Sequence, residues 1–478
     1  MNIISIEFAI ASIAAVLIYY LINQKFRIGF LAILSCAFIA SFNYLLLPYV
    51  LLYSLINYYI GLKLPDSKNK VLLYRTGIIF NVLQLVLLRY SSFAIDPFLH
   101  LLNSDFQVSK LSEIIVPIGI SYFSLQGIGY IISVNMGWEK PEKKFLDFLL
   151  YISFFPKFLS GPVERSNHFL PQIKENLTFD ESRVSLGLKI ALIGFLKKIA
   201  IANQMAPFVL NSFSDLGSAD GSSLIILLLL LPMYLYFDFS GYTDIAIGFA
   251  KMFGIDLLPN FNRPFFAENV TTFWKRFHIS LAAWFGNYIY RQIIFKRRKW
   301  GVYSSTMFAV FITWMLFGIW HGAGWNFMLL GLLQALAINY EFFTRKFRYR
   351  LFSRWPRFLK VWFGRIFTYL FYGASLVFFF SPDIHSTVAF FSGLSAIDSS
   401  IILVILRNIP LSAIVLALLF FALELLEEDY NKLFNKLKYF WSDGWKFSRL
   451  FRWSIYSFIL AMLFVLGNQA QQFIYAQF

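Results

Sequence analysis

Cysteine is almost absent: Cys36 is the single one in 478 residues. That excludes an internal disulfide and a multi-cysteine metal site, and a small buried hydrophobe is the ordinary role of such a residue. Charge is scarce too, at 14% of the chain, against about 25% in a soluble globular protein. Acidic side chains are the scarcer sign, 26 against 42 basic, for a net charge of +16. No soluble domain, low-complexity linker or internal repeat stands out. The missing repeat argues against a secondary transporter, since such folds are often built from two related halves. The first apolar run, 3–21, has no basic segment before it and no small-residue cleavage site, so a retained span is expected rather than a signal peptide.

What is present is apolar: 58% of residues are hydrophobic and 20% aromatic. Many runs reach the about 18–20 residues that cross a bilayer. The basic residues sit in short clusters between these runs, which positive-inside asymmetry explains better than nucleic acid binding. Alternating the clusters predicts spans over 3–21, two within 28–62 (broken near Asn43 and Pro48), 78–93, 114–134, 186–210, 224–252, 302–320, 325–343, 361–380, 401–426 and 455–467. Residues 145–162, short and interrupted by Pro156 and Gly161-Pro162, read as re-entrant or interfacial. The expectation is an all-α polytopic membrane protein, one domain over 1–478, with about twelve spans and both termini outside.

An ionisable residue inside such a region is costly and by default marks a functional site. His321 is one, in Gly318-Ile319-Trp320-His321-Gly322-Ala323-Gly324-Trp325, between two apolar stretches. A second, His278, lies upstream in the basic aromatic segment Phe273-Trp274-Lys275-Arg276-Phe277-His278. Its aromatics would anchor at the headgroup level, with Lys275 and Arg276 meeting lipid phosphate. Arg263 and the basic run 296–299 join them as candidates to hold an anionic donor; topology alone would also put cations there. Asp238 and Asp244 are expected to form internal pairs with buried cations that fix helix packing, and metal binding there is not expected. Glu164 beside Arg165 reads as a surface pair, and His100, His168 and His385 as solvated surface histidines.

Five stretches in order carry a family resemblance: VPIGISYFSLQ, FFPKFLSGPVERSNHFLPQ, YFDFSGYTDIAIGFAKMFGI, NFNRPFFAENVTTFWKRFHISLAAWFGNYIY and GIWHGAGWNF, spanning about residues 116–330. They resemble the membrane-bound O-acyltransferases, in the bacterial branch of alginate and peptidoglycan O-acetylation membrane proteins, related to the teichoic-acid D-alanyl transfer protein. The resemblance implies a ring of helices around a central funnel. It matches His321 to the principal catalytic histidine and His278 to the second signature histidine. The tail 473–478 is similar to an aromatic tail in related proteins whose tyrosine is thought to carry the acyl group, so Tyr475 becomes a candidate relay; an interfacial anchor is the alternative.

The expected reaction moves acetyl from cytoplasmic acetyl-CoA, used as a substrate with no bound cofactor, across the bacterial inner membrane to an extracytoplasmic acceptor for cell-envelope glycan O-acetylation. An exported SGNH-type transferase is the implied partner, beside membrane lipids, and no such domain is expected after the last span. Histidine, with an unperturbed pKa of about 6.5, suits a general base for a hydroxyl nucleophile. Trp320 and Trp325 would wall the tunnel and Asn326 would polarise the oxyanion. Direct acylation of a lipid or protein, or a transporter using His321 as a proton relay, are the alternatives.

Overall fold

In hydrocarbon a backbone must satisfy its own N–H and C=O groups, and helices do so within each segment. The computed structural model describes residues 3–102, 107–110, 119–214, 216, 220–395, 401–435 and 448–467, and its named elements are all helices. Five of them are long and apolar enough to cross a membrane: Lys70–Leu88, Gly221–Met252, Val302–His321, Trp325–Leu351 and Arg357–Phe380. Shorter apolar helices, among them Ile6–Leu21, Arg27–Ala40 and Leu46–Lys63, accompany these.

The expected break in 28–62 falls at 41–45, where the Asn43 side chain accepts the Leu45 N–H at 2.8 Å. Pro48 does not take part in it. It sits in the first turn of Leu46–Lys63, where a missing N–H leaves no bond unmade. Several boundaries differ from expectation, as where 186–210 becomes Glu181–Phe195, Leu196–Ala202 and Asn203–Ser214 and 325–343 lengthens to Trp325–Leu351, and two of the differences have a local cause. The helix expected over 78–93 starts earlier and runs Lys70–Leu88, because long basic stems such as Lys70 and Arg75 extend an apolar helix while keeping their charge in water. The single span expected over 401–426 is two helices, Ile401–Asn408 and Leu411–Asp429. Pro410 between them has no N–H to donate and disfavours helical backbone at Ile409.

Residues 154–165 are irregular and almost wholly buried, as a re-entrant segment must be if protein surrounds it. Side chains from elsewhere take up its N–H groups: Ser35 Oγ accepts from Phe155 at 3.1 Å and Ser280 Oγ from Val163 at 2.8 Å. Lys157, fully buried, donates to Gln126 and to the Tyr151 carbonyl, over the rings of Tyr151 and Phe169.

Small residues let the central helices touch. Glu181–Phe195 crosses Gly221–Met252 at Gly187 on Gly248 and Gly194 on Gly241; a Cβ on Gly194 would lie 2.6 Å from the Gly241 carbonyl oxygen. Directly after Glu181–Phe195 comes a wider π turn, Leu196–Ala202, which presents Lys197 and Lys198 to that same partner. Lys198 pairs with Asp238, both 1% exposed, and Lys197 with Asp244 at 2.7 Å. Both carboxylates thus form the expected internal pairs.

Candidate active site

His321 is the last residue of Val302–His321 and is 5% exposed. Gly318 and Gly331 bring this helix against Trp325–Leu351; a Cβ on Gly318 would sit 3.0 Å from the Gly331 Cα. The turn between the helices is only residues 322–324, so the imidazole is fixed at the hinge of a tight hairpin. Its ring meets Phe317 at 4.7 Å, Trp320 at 4.8 Å and Phe379 at 5.5 Å.

His278 comes to the same place by a different route. Residues 260–263 run beside 276–279: Asn262 N–H donates to the Arg276 carbonyl and Ile279 N–H to the Asn260 carbonyl, both at 2.9 Å. An isolated antiparallel bridge joins Phe261 and Phe277. This pairing turns His278 into left-handed backbone, φ +48°, immediately before the helix Ile279–Phe285. Such a conformation costs a non-glycine residue roughly 1–3 kcal/mol and gathers at functional sites. His278 is 1% exposed, and its Nε2 has no hydrogen-bond partner among the described residues. Its ring lies 4.6 Å from Phe239, 6.2 Å from Trp320 and 6.4 Å from Tyr122. The two histidines, 43 positions apart in the numbering, therefore share one indole, Trp320, whose Nε1 donates to the Ser121 carbonyl at 3.4 Å.

The other sequence candidates scatter. Trp325 is 63% exposed and meets Phe93 edge-on at 5.8 Å, whereas Trp320 is buried beside both histidines. Asn326 is buried and spends both amide hydrogens on the carbonyls of Phe378 and Ser381, at 3.0 and 2.8 Å, which leaves only its carbonyl oxygen for another partner. Arg263 pairs with Glu427 at 2.8 Å and Glu428 at 2.9 Å, and Arg276 with Glu428 at 2.9 Å. Both cations, expected to meet an anionic donor or, for Arg276, lipid phosphate, are paired with carboxylates of the Leu411–Asp429 helix. Lys275 is exposed. The aromatics Phe273, Trp274 and Phe277, expected at the headgroup level, are buried among Phe317, Trp314 and Tyr372 because the left-handed turn at His278 folds the segment inward. Tyr475 and the tail 473–478 lie outside the described residues.

Glu164 is not a surface residue. It is buried, accepts the Leu258 N–H, and holds His168 Nδ1 at 2.8 Å. The hydrogen bond that the Glu164 carboxylate accepts from His168 raises the histidine's pKa, so this partly exposed ring is bonded as well as solvated. Beside it a cavity of about 530 Å³ is lined by Trp138, Arg165, Asn167, Tyr288, Arg291 and Gln292, among others. Neither arginine is ion-paired with a carboxylate among the described residues.

Sequence reasoning missed Arg89. It follows Lys70–Leu88, donates one terminal nitrogen to Ser121 Oγ and the other to the His321 carbonyl at 2.9 Å. The available signal was a lone arginine in an apolar segment expected to end outside, against the positive-inside pattern. Among the described residues no group of three or more histidine, cysteine or carboxylate side chains is placed to hold a metal ion.

The sequence profile of the membrane-bound O-acyltransferase family matches residues 20–381. The peptidoglycan O-acetyltransferase of Helicobacter pylori is 30% identical over 413 residues, 79% of this chain and 76% of the relative. The probable alginate O-acetylase AlgI of Pseudomonas aeruginosa is 30% identical over 338 residues, 67% and 64% respectively. The teichoic acid D-alanyltransferase of Bacillus subtilis is 30% identical over 254 residues, 51% and 64%.

Proposed function

The chain belongs to the membrane-bound O-acyltransferase family, and we propose that it takes acetyl from acetyl-CoA on the cytoplasmic side of the bacterial inner membrane and delivers it to an extracytoplasmic acceptor for O-acetylation of a cell-envelope glycan. The observation that carries this reading is the convergence of His278 and His321 on Trp320, deep within an apolar helical protein. Residues far apart in sequence that meet in a strained, buried arrangement are what a catalytic centre requires. The relatives supply the acceptor class, since the matched proteins from Helicobacter and Pseudomonas are named for peptidoglycan and alginate acetylation. The arrangement of about twelve crossings, both termini outside, with helices ringing a central funnel, belongs to the same reading.

In this mechanism an acceptor hydroxyl oxygen attacks the thioester carbonyl carbon while His321 takes the hydroxyl proton. The C–S bond then breaks, and the departing thiolate receives that proton. The new ester carries the acetyl, and free coenzyme A is the second product. The hydroxyl belongs to Tyr475 or to an exported SGNH-type partner. His278, with its open Nε2, orients the thioester. A general base contributes typically about 10²–10⁴-fold.

The donor's phosphates fit Arg165 and Arg291 better than Arg263 and Arg276, whose charges are already answered by Glu427 and Glu428. Trp138 and Tyr288, with ring centres 5.9 Å apart in the same cavity, offer aromatic faces to a base. The buried helix Ile120–Asn135 links the two places, with Tyr122 beside His278 and Met136, just past its end, lining the cavity. Fourteen residues of helix rise about 21 Å, the axial separation between Tyr122 and Met136.

The test is incubation of the purified protein, with and without its partner, with isotope-labelled acetyl-CoA. Thiol release and labelled peptides are followed in wild type and His321→Ala. His321-dependent release is expected, with label on the C-terminal peptide if Tyr475 is the relay. Release in neither protein, partner present, overturns the acyl-transfer reading.

A further inference from the structure

Arg89 makes contacts that a purely structural cation would not need. The last four carbonyls of a helix have no partner inside it, and at Val302–His321 two of these are taken from one neighbouring turn. Arg89 donates to the His321 carbonyl at 2.9 Å and Tyr90 O–H to the Trp320 carbonyl at 3.1 Å. The second arm of the guanidinium holds Ser121, in the first turn of Ile120–Asn135, whose carbonyl in turn accepts from the Trp320 indole. One side chain thus ties together the end of the helix that carries His321, the start of the helix that carries Tyr122, and the indole shared by both histidines.

Neutral donors suffice for such a cap. Tyr90 does it next door, and Asn326 does it for Arg357–Phe380 by donating to the Phe378 and Ser381 carbonyls. A charge here also lacks what comparable cations of this protein have. Lys198 has Asp238, Lys197 has Asp244, and Arg365 has both oxygens of Asp429, at 2.6 and 2.7 Å. Among the described residues no carboxylate is ion-paired with Arg89. The negative end of the Val302–His321 helix dipole offsets only part of a unit charge, and a part-buried cation with no carboxylate among the described residues is costly. Such a charge is useful where negative charge develops and is then lost, and oriented positive charge of that kind is worth most in a site that excludes water.

We propose that Arg89 is a positioning residue of acyl transfer: it holds the His321 carbonyl and, with no carboxylate partner among the described residues, directs positive charge at the place where the thioester oxygen or thiolate becomes negative. This inference rests on the acyl-transfer reading above.

The experiment compares wild type with Arg89→Lys, Arg89→Gln and Arg89→Ala in the full chain, reading kcat and KM for acetyl-CoA-dependent thiol release in the presence of partner, with added methylguanidinium for the alanine variant. Arg89→Gln retains hydrogen bonding without charge and is expected to lose about 10²-fold in kcat, the order of magnitude of losing one electrostatic stabiliser of the developing charge, with KM changed less than about threefold. Arg89→Lys is expected to keep most of kcat, and methylguanidinium to restore part of it to Arg89→Ala. Should the alanine variant fail to fold, the lysine and glutamine pair still decides. An active wild type with Arg89→Gln equally active shows a neutral cap and overturns the inference alone. An inactive wild type overturns the acyl-transfer reading and takes this inference with it.

Discussion

The pair Lys198–Asp238 gives the sharpest test of how this interior is held. Both side chains are 1% exposed, so solvent screens neither. Replacing Asp238 by leucine leaves the Lys198 ammonium buried without its carboxylate, and breaking a buried pair this way costs about 3–5 kcal/mol. Replacing both, as Lys198→Met with Asp238→Leu, removes the desolvation cost together with the attraction, and is expected to be neutral or stabilising by about 1–4 kcal/mol. The neighbouring pair is the internal control. Lys197 and Asp244 are 12% and 25% exposed, so Asp244→Leu is expected to cost clearly less than Asp238→Leu. The assay is equilibrium unfolding in mixed micelles, titrated with denaturing detergent and followed by tryptophan fluorescence, arranged as a double-mutant cycle. The reasoning fails if Asp238→Leu costs no more than Asp244→Leu, or if the double variant is as unstable as the single one.

Other expectations are briefer. His321→Ala should lower partner-dependent thiol release by about 10²–10⁴-fold with elution volume and helical circular dichroism unchanged; wild-type turnover in the variant would remove His321 from the mechanism. Gly194→Leu forces a side chain against the Gly241 carbonyl and should lower the unfolding midpoint, overpacking of this kind costing typically about 1–3 kcal/mol; an unchanged midpoint would mean that the two helices do not cross there. Glu139, outside the spanning helices, has its carboxyl pushed up to about 7 by burial, against the opposing effect of the Ser166 hydroxyl that donates to it at 2.6 Å. Its folded pKa exceeds the ordinary value of 4.5, so the folded state holds the extra proton between these limits and stability falls as pH rises from about 4.5 to about 7. Glu139→Gln should flatten that part of the stability–pH curve, and an unaltered slope would contradict the assignment.

The class of fold was legible because it follows from composition. Few charges, long apolar runs and basic turns leave helices as the economical way to satisfy the backbone in hydrocarbon. The break at Asn43, the irregular stretch around Pro156 and Gly161-Pro162, and the pairing of Asp238 and Asp244 with buried cations could all be anticipated, since each rests on a local property of the residues concerned. The split at Pro410 was equally local in cause but was hidden in an otherwise continuous apolar run.

His321 and His278 could be singled out from sequence as ionisable residues in apolar surroundings, a matter of solvation cost alone. Their meeting on Trp320 could not, because it depends on the left-handed turn at His278, the pairing of 260–263 with 276–279, and the glycine contact that closes the His321 hairpin. The same dependence on distant partners separates cations of identical type. Arg263 and Arg276 lie in a basic segment that suggests anion binding, yet Glu427 and Glu428, on a helix more than 150 residues later, answer their charge. Arg89 lies within the span expected over 78–93 and sits against the His321 carbonyl. Membrane residence and helical class are sums over residues, which a sequence contains in full; the availability of a charge is a property of a pair, and only folding selects the second member.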